Sequence, residues 1–211
     1  MSIRNKLLAA IVTGCFATSA MATVTYSTGV DANHDGKDDQ FTLNGTSAYL
    51  VTSTAIGWPV LPDSSITSGK YISWNPVQSG RSASTLKDQV YKYTFQFNWS
   101  GAGLTTDMDF RWVSDDYLTD VTLNGVSLGV NNLGASQVWK ISNATSVTGN
   151  VAAGINTLQF IVNNTGGGAT GLAADFTING DASFVPEPGS FALFGLGLAL
   201  IPALRKRSTR A

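Results

Sequence analysis

From Val90 to Trp99 the chain alternates without a break: Tyr91, Tyr93, Phe95, Phe97 and Trp99 take every second position, with Lys92, Thr94, Gln96 and Asn98 between them. A period of two places all five aromatics on one face of an extended strand, whereas helical spacing would scatter them around a cylinder. The pattern predicts a β-strand with one buried face and one wet face. Met108, Phe110 and Trp112, opposed by Asp109 and Arg111, predict a second strand of the same kind. In the stretch 120–128, Asp-Val-Thr-Leu-Asn-Gly-Val-Ser-Leu, the pair Asn124-Gly125 is the preferred centre of a type I′ hairpin turn. A two-residue loop there sets Leu123 opposite Val126, Thr122 opposite Ser127 and Val121 opposite Leu128, so apolar meets apolar and polar meets polar. Leu158, Phe160 and Val162, then Leu172, Ala174, Phe176 and Ile178, mark two closing strands. Residues 163–171 between them are rich in Asn and Gly, which tolerate positive φ, and read as a flexible hairpin loop. Short strands, Gly-rich turns and no helical periodicity predict an all-β domain, a single antiparallel β-sandwich.

Each end of the chain breaks this pattern. The first 22 residues have a basic start (Arg4, Lys6), an uncharged apolar stretch over 7–17 and Ala20-Met21-Ala22. That is the layout of a secretory signal peptide with an A-x-A site, to be cut after Ala22 by signal peptidase. An alternative cut before Cys15, in Val12-Thr13-Gly14-Cys15, would leave a lipidated N-terminus. Cys15 is the single cysteine, so cleavage after Ala22 leaves an exported domain with no disulfide to hold it. Near the other end residues 191–204 carry no charge and are followed by Arg205, Lys206 and Arg207. As a helix this run spans about 21 Å, short against a hydrocarbon core of about 30 Å, so a buried core helix is the competing reading. The basic cluster favours a membrane helix instead, with the cations at the cytoplasmic interface and the domain outside. The expected organisation is a signal peptide over 1–22, a β-sandwich ectodomain over 23–184 and a C-terminal segment over 185–211.

Pro186-Glu187-Pro188, the apolar run and the basic end together resemble the PEP-CTERM sorting signal of Gram-negative bacteria. The resemblance implies transient anchoring in the inner membrane, an exosortase as processing partner, and delivery to the cell surface or extracellular matrix. The stretches 91–97, 120–125 and 154–172 resemble the jelly-roll ectodomains that often precede such tails. Those domains are similar to galactose-binding-like folds and carbohydrate-binding modules, which implies extracellular polysaccharide as a partner.

Charge narrows the ligand class. Residues 23–184 hold seven Lys or Arg against thirteen acidic residues, all of them Asp. Such a domain lacks the cations that neutralise phosphates, so no nucleic-acid partner is expected; a cation or a neutral polymer suits it better. Asp31, Asn33, Asp35 and Asp39, with Gly36 at the sharp turn, match the start of a calcium loop. Thr42 stands where an EF-hand needs a bidentate Glu, so the segment reads either as a shorter calcium loop, with Asp38 a further donor, or as a solvated acidic turn. His34, the single histidine, falls at a non-ligand position. Trp58, Tyr71, Trp74 and Trp139 are candidates for a sugar-stacking platform or for core. Trp58 and Trp74 stand beside prolines in loop-like stretches and are the expected ligand-binding pair. Chemistry on a glycan would need two carboxyls from Asp109, Asp115, Asp116 and Asp120, with no independent histidine, zinc cluster or mature-domain cysteine to assist. The expectation is a noncatalytic module that binds extracellular polysaccharide. A structural or adhesion protein of the matrix is the main rival, and a glycan-processing enzyme a weaker one.

Overall fold

The computed structural model describes residues 23–185, apart from 56, 64, 80–88, 135–138, 140, 141, 166 and 181. The expected cleavage residues Ala20 and Ala22, the alternative site at Cys15, and the sorting residues Pro186, Glu187, Pro188, Arg205, Lys206 and Arg207 lie outside the described residues, as does the expected terminal helix.

Twelve strands run through the described residues: β1 (Thr23–Ser27), β2 (Lys37–Leu43), β3 (Thr46–Leu50), β4 (Ile72–Ser73), β5 (Gln89–Trp99), β6 (Leu104–Asp115), β7 (Tyr117–Leu123), β8 (Val126–Ser127), β9 (Asn143–Val151), β10 (Gly154–Asn164), β11 (Gly171–Asn179) and β12 (Ala182–Phe184). Every pairing between them is antiparallel, in the order β8-β7-β10-β5-β2-β3-β4-β11-β6-β9. Two long strands organise the rest. One edge of β5 pairs with β10 along its whole length, while β2 covers Tyr93–Phe95 of the other edge and β12 covers Phe97–Trp99. β11 is built the same way: β6 takes one edge, and β4 and β1 divide the other at Leu172 and at Asp175–Asn179. The short strands β2, β3 and β4 join the two ladders and turn the corner between them.

The layers meet through the predicted stripes. Tyr91, Tyr93, Phe95, Phe97 and Trp99 are each 2% exposed or less. Phe95 of β5 lies 5.1 Å, centroid to centroid, from Phe176 of β11; Phe160 of β10 lies 5.8 Å from Phe110 of β6; and Phe41 of β2 lies 6.2 Å from Phe176. None of these pairs shares a ladder, so the rings interlock face to face between two layers, which is the antiparallel β-sandwich the alternation predicts. A smaller cluster of Trp58, Ile66, Tyr71, Val113 and Ala173 packs elsewhere.

The β7–β8 hairpin has the expected register, Leu123 against Val126 and Thr122 against Ser127, with φ of 52° at Asn124 and 81° at Gly125. A second Asn-Gly turn, Asn44-Gly45, joins β2 to β3 with φ of 49° and 84° and was not among the sequence expectations. Both asparagines clamp a neighbouring strand in the same way. The Asn124 N–H donates to the Thr157 carbonyl (2.8 Å) while its Oδ1 accepts from the Thr157 N–H (2.9 Å); Asn44 does the same to Lys92 at 3.0 and 2.9 Å. Each turn thus satisfies strand-end groups that would otherwise stay unpaired.

Candidate functional site

The acidic segment forms a tight turn leading into β2. Asp31 accepts from the N–H groups of Asp35 (3.0 Å) and Gly36 (3.1 Å), and Asn33 Oδ1 accepts from the Asp35 N–H at 2.9 Å. Asp39 accepts from the Ala32 N–H (2.6 Å) and the Asn33 side-chain amide (3.1 Å), and Asp35 from the Lys37 N–H (2.9 Å). Positive φ at His34 and Gly36 bends the backbone between them, and His34 is exposed, a turn residue. The four expected ligands therefore share one loop, where they accept from its own N–H groups. Among the described residues no three His, Cys, Asp or Glu converge as a metal-holding group. Asp38 does different work. It is 2% exposed and accepts from the N–H groups of Gly29, Gln40 (2.7 Å) and Phe41 (2.8 Å), tying β2 to the end of β1. Burial pushes its carboxyl up to about 6, against the pull of those three donors.

Trp58 is not an exposed platform. It is 7% exposed, its indole N–H donates to Asp115 Oδ2 at 2.7 Å, and its ring centroid lies 4.5 Å from that of Tyr71. A Cβ placed on Gly171 would stand 2.7 Å from the rim of the indole, so the β11 backbone closes the other side. The physical reason for the correction is Asp115: it gives the indole N–H a buried acceptor, and a tryptophan with that partner can be core. Trp74 is half-buried, packs on the main core and has its Nε1 enclosed without a hydrogen-bond partner. Trp139 packs on the smaller cluster. Burial pushes the Asp115 carboxyl up to about 8, and its hydrogen bond with Asp116 adds to the shift. Asp116, beside Asp115, also accepts from the Thr165 N–H (2.7 Å), whereas the other two drafted acids stand apart: Asp120 accepts from Ser127 Oγ (2.8 Å) on the β7–β8 hairpin, and Asp109 lies on β6 in the opposite layer.

A polar groove of about 370 Å³ opens on the outer face of that layer, lined by Asp107 and Asp109 of β6, Ser146, Val147 and Thr148 of β9, and Asn179 of β11. Register builds it. Asp109 stands directly between Ser146 on one neighbouring strand and Thr177 on the other, and both hydroxyls donate to its carboxylate, Thr177 at 3.3 Å. Asp107 faces Thr148, and its carboxylate has no hydrogen-bond or ion-pair partner among the described residues. Thr105 donates to Asn150 (2.6 Å) and Thr23 to Asn179 (3.1 Å), extending the polar row across β9, β6, β11 and β1. Among the described residues no Lys or Arg lines the groove; Arg111 belongs to the adjoining hollow with Ala144 and Thr145. Fixed carboxylate and amide acceptors beside hydroxyls, on rigid strands, suit the hydroxyl groups of a sugar chain. The sequence reading placed only Asp109 near this chemistry, as a drafted acid. The signal for the rest was the exposed Ala144, Ser146, Thr148 and Asn150 at alternate positions of β9.

The PEP-CTERM protein-sorting motif is matched at residues 184–208. None of the curated proteins matches the chain. Among solved structures the chain is similar to CBM35 from Cellvibrio japonicus Abf62, with 12% identity, 69% of this chain and 92% of that one covered, and a TM-score of 0.41. It is also similar to a family 35 carbohydrate binding module from Clostridium thermocellum (14% identity, 74% and 97% covered, TM-score 0.39) and to CBM35 from Paenibacillus barcinonensis (15%, 72% and 97%, TM-score 0.35).

Proposed function

We propose that this is an exported protein, sorted by exosortase to the cell surface or extracellular matrix, whose β-sandwich binds extracellular polysaccharide without catalysis. The matched sorting motif supports the route. The observation that carries the binding is the groove: two carboxylates, an amide and two hydroxyls in register on neighbouring strands. Groups held by strands lose little freedom when a ligand arrives, and weak contacts repeat along a polymer. An acidic groove disfavours uronate-rich chains and accepts neutral or amino-bearing ones. Asp107 and Asp109 lie two positions apart on one strand, on the same open face, whereas glycoside cleavage uses two carboxyls on opposite sides of the bond.

The test is retention of the exported chain on the native exopolysaccharide, compared with Asp107→Ala/Asp109→Ala. About a tenfold weakening in the double variant, with no new reducing ends from either protein, is expected. Undiminished retention removes the groove as the site, and release of sugar removes the noncatalytic reading.

A further inference from the structure

We propose that β9 is a homotypic pairing edge: two copies of this chain join by laying β9 antiparallel on β9, about a two-fold axis at Val147, into one sheet that crosses both molecules. This inference stands apart from the polysaccharide reading. β9 ends the strand order. One edge pairs with β6 from Leu104↔Val151 to Trp112↔Asn143 with no register shift, and from Ala144 to Asn150 the other edge has no strand or backbone partner among the described residues. Folded proteins usually blunt such an edge with lysine, proline, a bulge or a covering segment. β9 reads Asn-Ala-Thr-Ser-Val-Thr-Gly-Asn-Val and has none of the first three. At the opposite end of the order β8 is two residues long, too short to template a partner.

A second copy is the occupant that fits. The antiparallel overlap that uses the open stretch from Ala144 to Asn150 is centred on Val147, which sets Ser146 against Thr148, Thr145 against Gly149 and Ala144 against Asn150. Hydroxyl faces hydroxyl across the seam, and no charge faces a like charge. The nearest groove carboxylates, Asp107 and Asp109, stand one strand behind β9 in each copy. Across the seam they are separated by three strand spacings, about 14 Å, beyond the screening length at physiological salt. A partner edge bearing acids would lie much closer to them and be repelled. The two-fold axis also keeps both outer faces on the same side, so the two polar rows become one.

The exported chain provides a clean test, because Cys15, the single cysteine, lies in the expected signal peptide. Opposed residues in an antiparallel pair have Cα atoms about 4.5–5.5 Å apart, within disulfide reach. Ser146→Cys and Thr148→Cys are made separately and oxidised alone and as an equimolar mixture. The mixture should give a disulfide-linked dimer at several times the yield of either variant alone, because position 146 meets position 148. In sedimentation the wild-type chain should pass from monomer to dimer with rising concentration. Ser146→Lys/Thr148→Lys should need at least tenfold more protein to do so while keeping the wild-type melting temperature. A wild-type chain that stays monomeric at every concentration, or equal cross-linking in the mixture and in the single variants, overturns the proposal.

Discussion

Asp115 and Trp58 are one unit, and each explains the other. The carboxyl group gives the buried indole its acceptor at 2.7 Å, and the same burial pushes that group up to about 8, with the Asp116 hydrogen bond in support. The folded chain therefore keeps a proton that the unfolded chain releases near 3.8. Stabilisation from this group is full below that value and is lost as pH rises toward about 8. The melting temperature of the exported chain should fall across that interval. Asp38, raised to about 6, adds a fall of the same sign at lower pH, so Asp115→Asn, which keeps an acceptor for Trp58 and cannot ionise, should flatten the slope above about 6; an unaltered slope there would place the titration on another group. Trp58→Ala removes a ring packed on Tyr71 and leaves Asp115 without its donor, at a cost of about 3–5 kcal/mol in chemical denaturation. Polysaccharide retention per folded molecule should not change in that variant, since the groove lies on other strands.

The two Asn-Gly turns show what a turn residue does beyond reversing the chain. Gly125 sits at φ 81°, so Gly125→Val forces a β-branched residue into the left-handed region and should cost about 1–3 kcal/mol by thermal unfolding. Asn44→Ala should cost about 1–2 kcal/mol, because it leaves the Lys92 N–H without its 2.9 Å acceptor. An unchanged midpoint in either variant would mean that the turn does not set the register. Of these turns the first was legible in the sequence and the second was not. Asn124 is flanked by self-matching pairs on both sides, while β2 reaches Asn44 through a register irregularity that spoils its alternation. Legibility followed burial more broadly. The aromatic stripes of β5, β10 and β11 announced themselves because one face is dry, but β9, whose inner positions include Thr145 and Gly149, has too weak an apolar stripe to show. The groove was hidden for that reason and one more: it needs β6, β9 and β11 side by side, and ladder order between segments tens of residues apart leaves no local mark. The acidic turn was legible as a turn. Its internal hydrogen bonds should keep it folded in chelator, so the exported chain should melt cooperatively there. A rise of about 2.7 kcal/mol at calcium 100-fold above its dissociation constant would show an ion bound in addition.

At the scale of the whole molecule, both terminal strands complete half-filled edges. β1 opens at Thr23, the residue after the expected signal-peptide cut, and takes the part of the β11 edge that β4 leaves free. β12 ends at Phe184 and takes the part of the β5 edge that β2 leaves free; the Val185 N–H reaches the Gln96 carbonyl at 3.3 Å. The sorting motif begins at 184, where this last strand ends. Removal of the tail near Pro186-Glu187-Pro188 would thus leave every ladder among the described residues intact, while a cut a few residues earlier would uncover Phe97 and Trp99 and strip Phe184 from its stack on Phe95, 5.8 Å away. In cells with an active exosortase the surface-released product should therefore lack the apolar run and Arg205-Lys206-Arg207 yet retain Phe184, and intact-mass analysis reads both ends at once. A chain engineered to stop at Asp181 should be exported poorly or melt well below the product ending after Val185, because the β5 edge and part of the aromatic core would open to water. A released species still carrying Ala211, or a chain ending at Asp181 as stable as the natural product, would separate the sorting motif from the fold that precedes it.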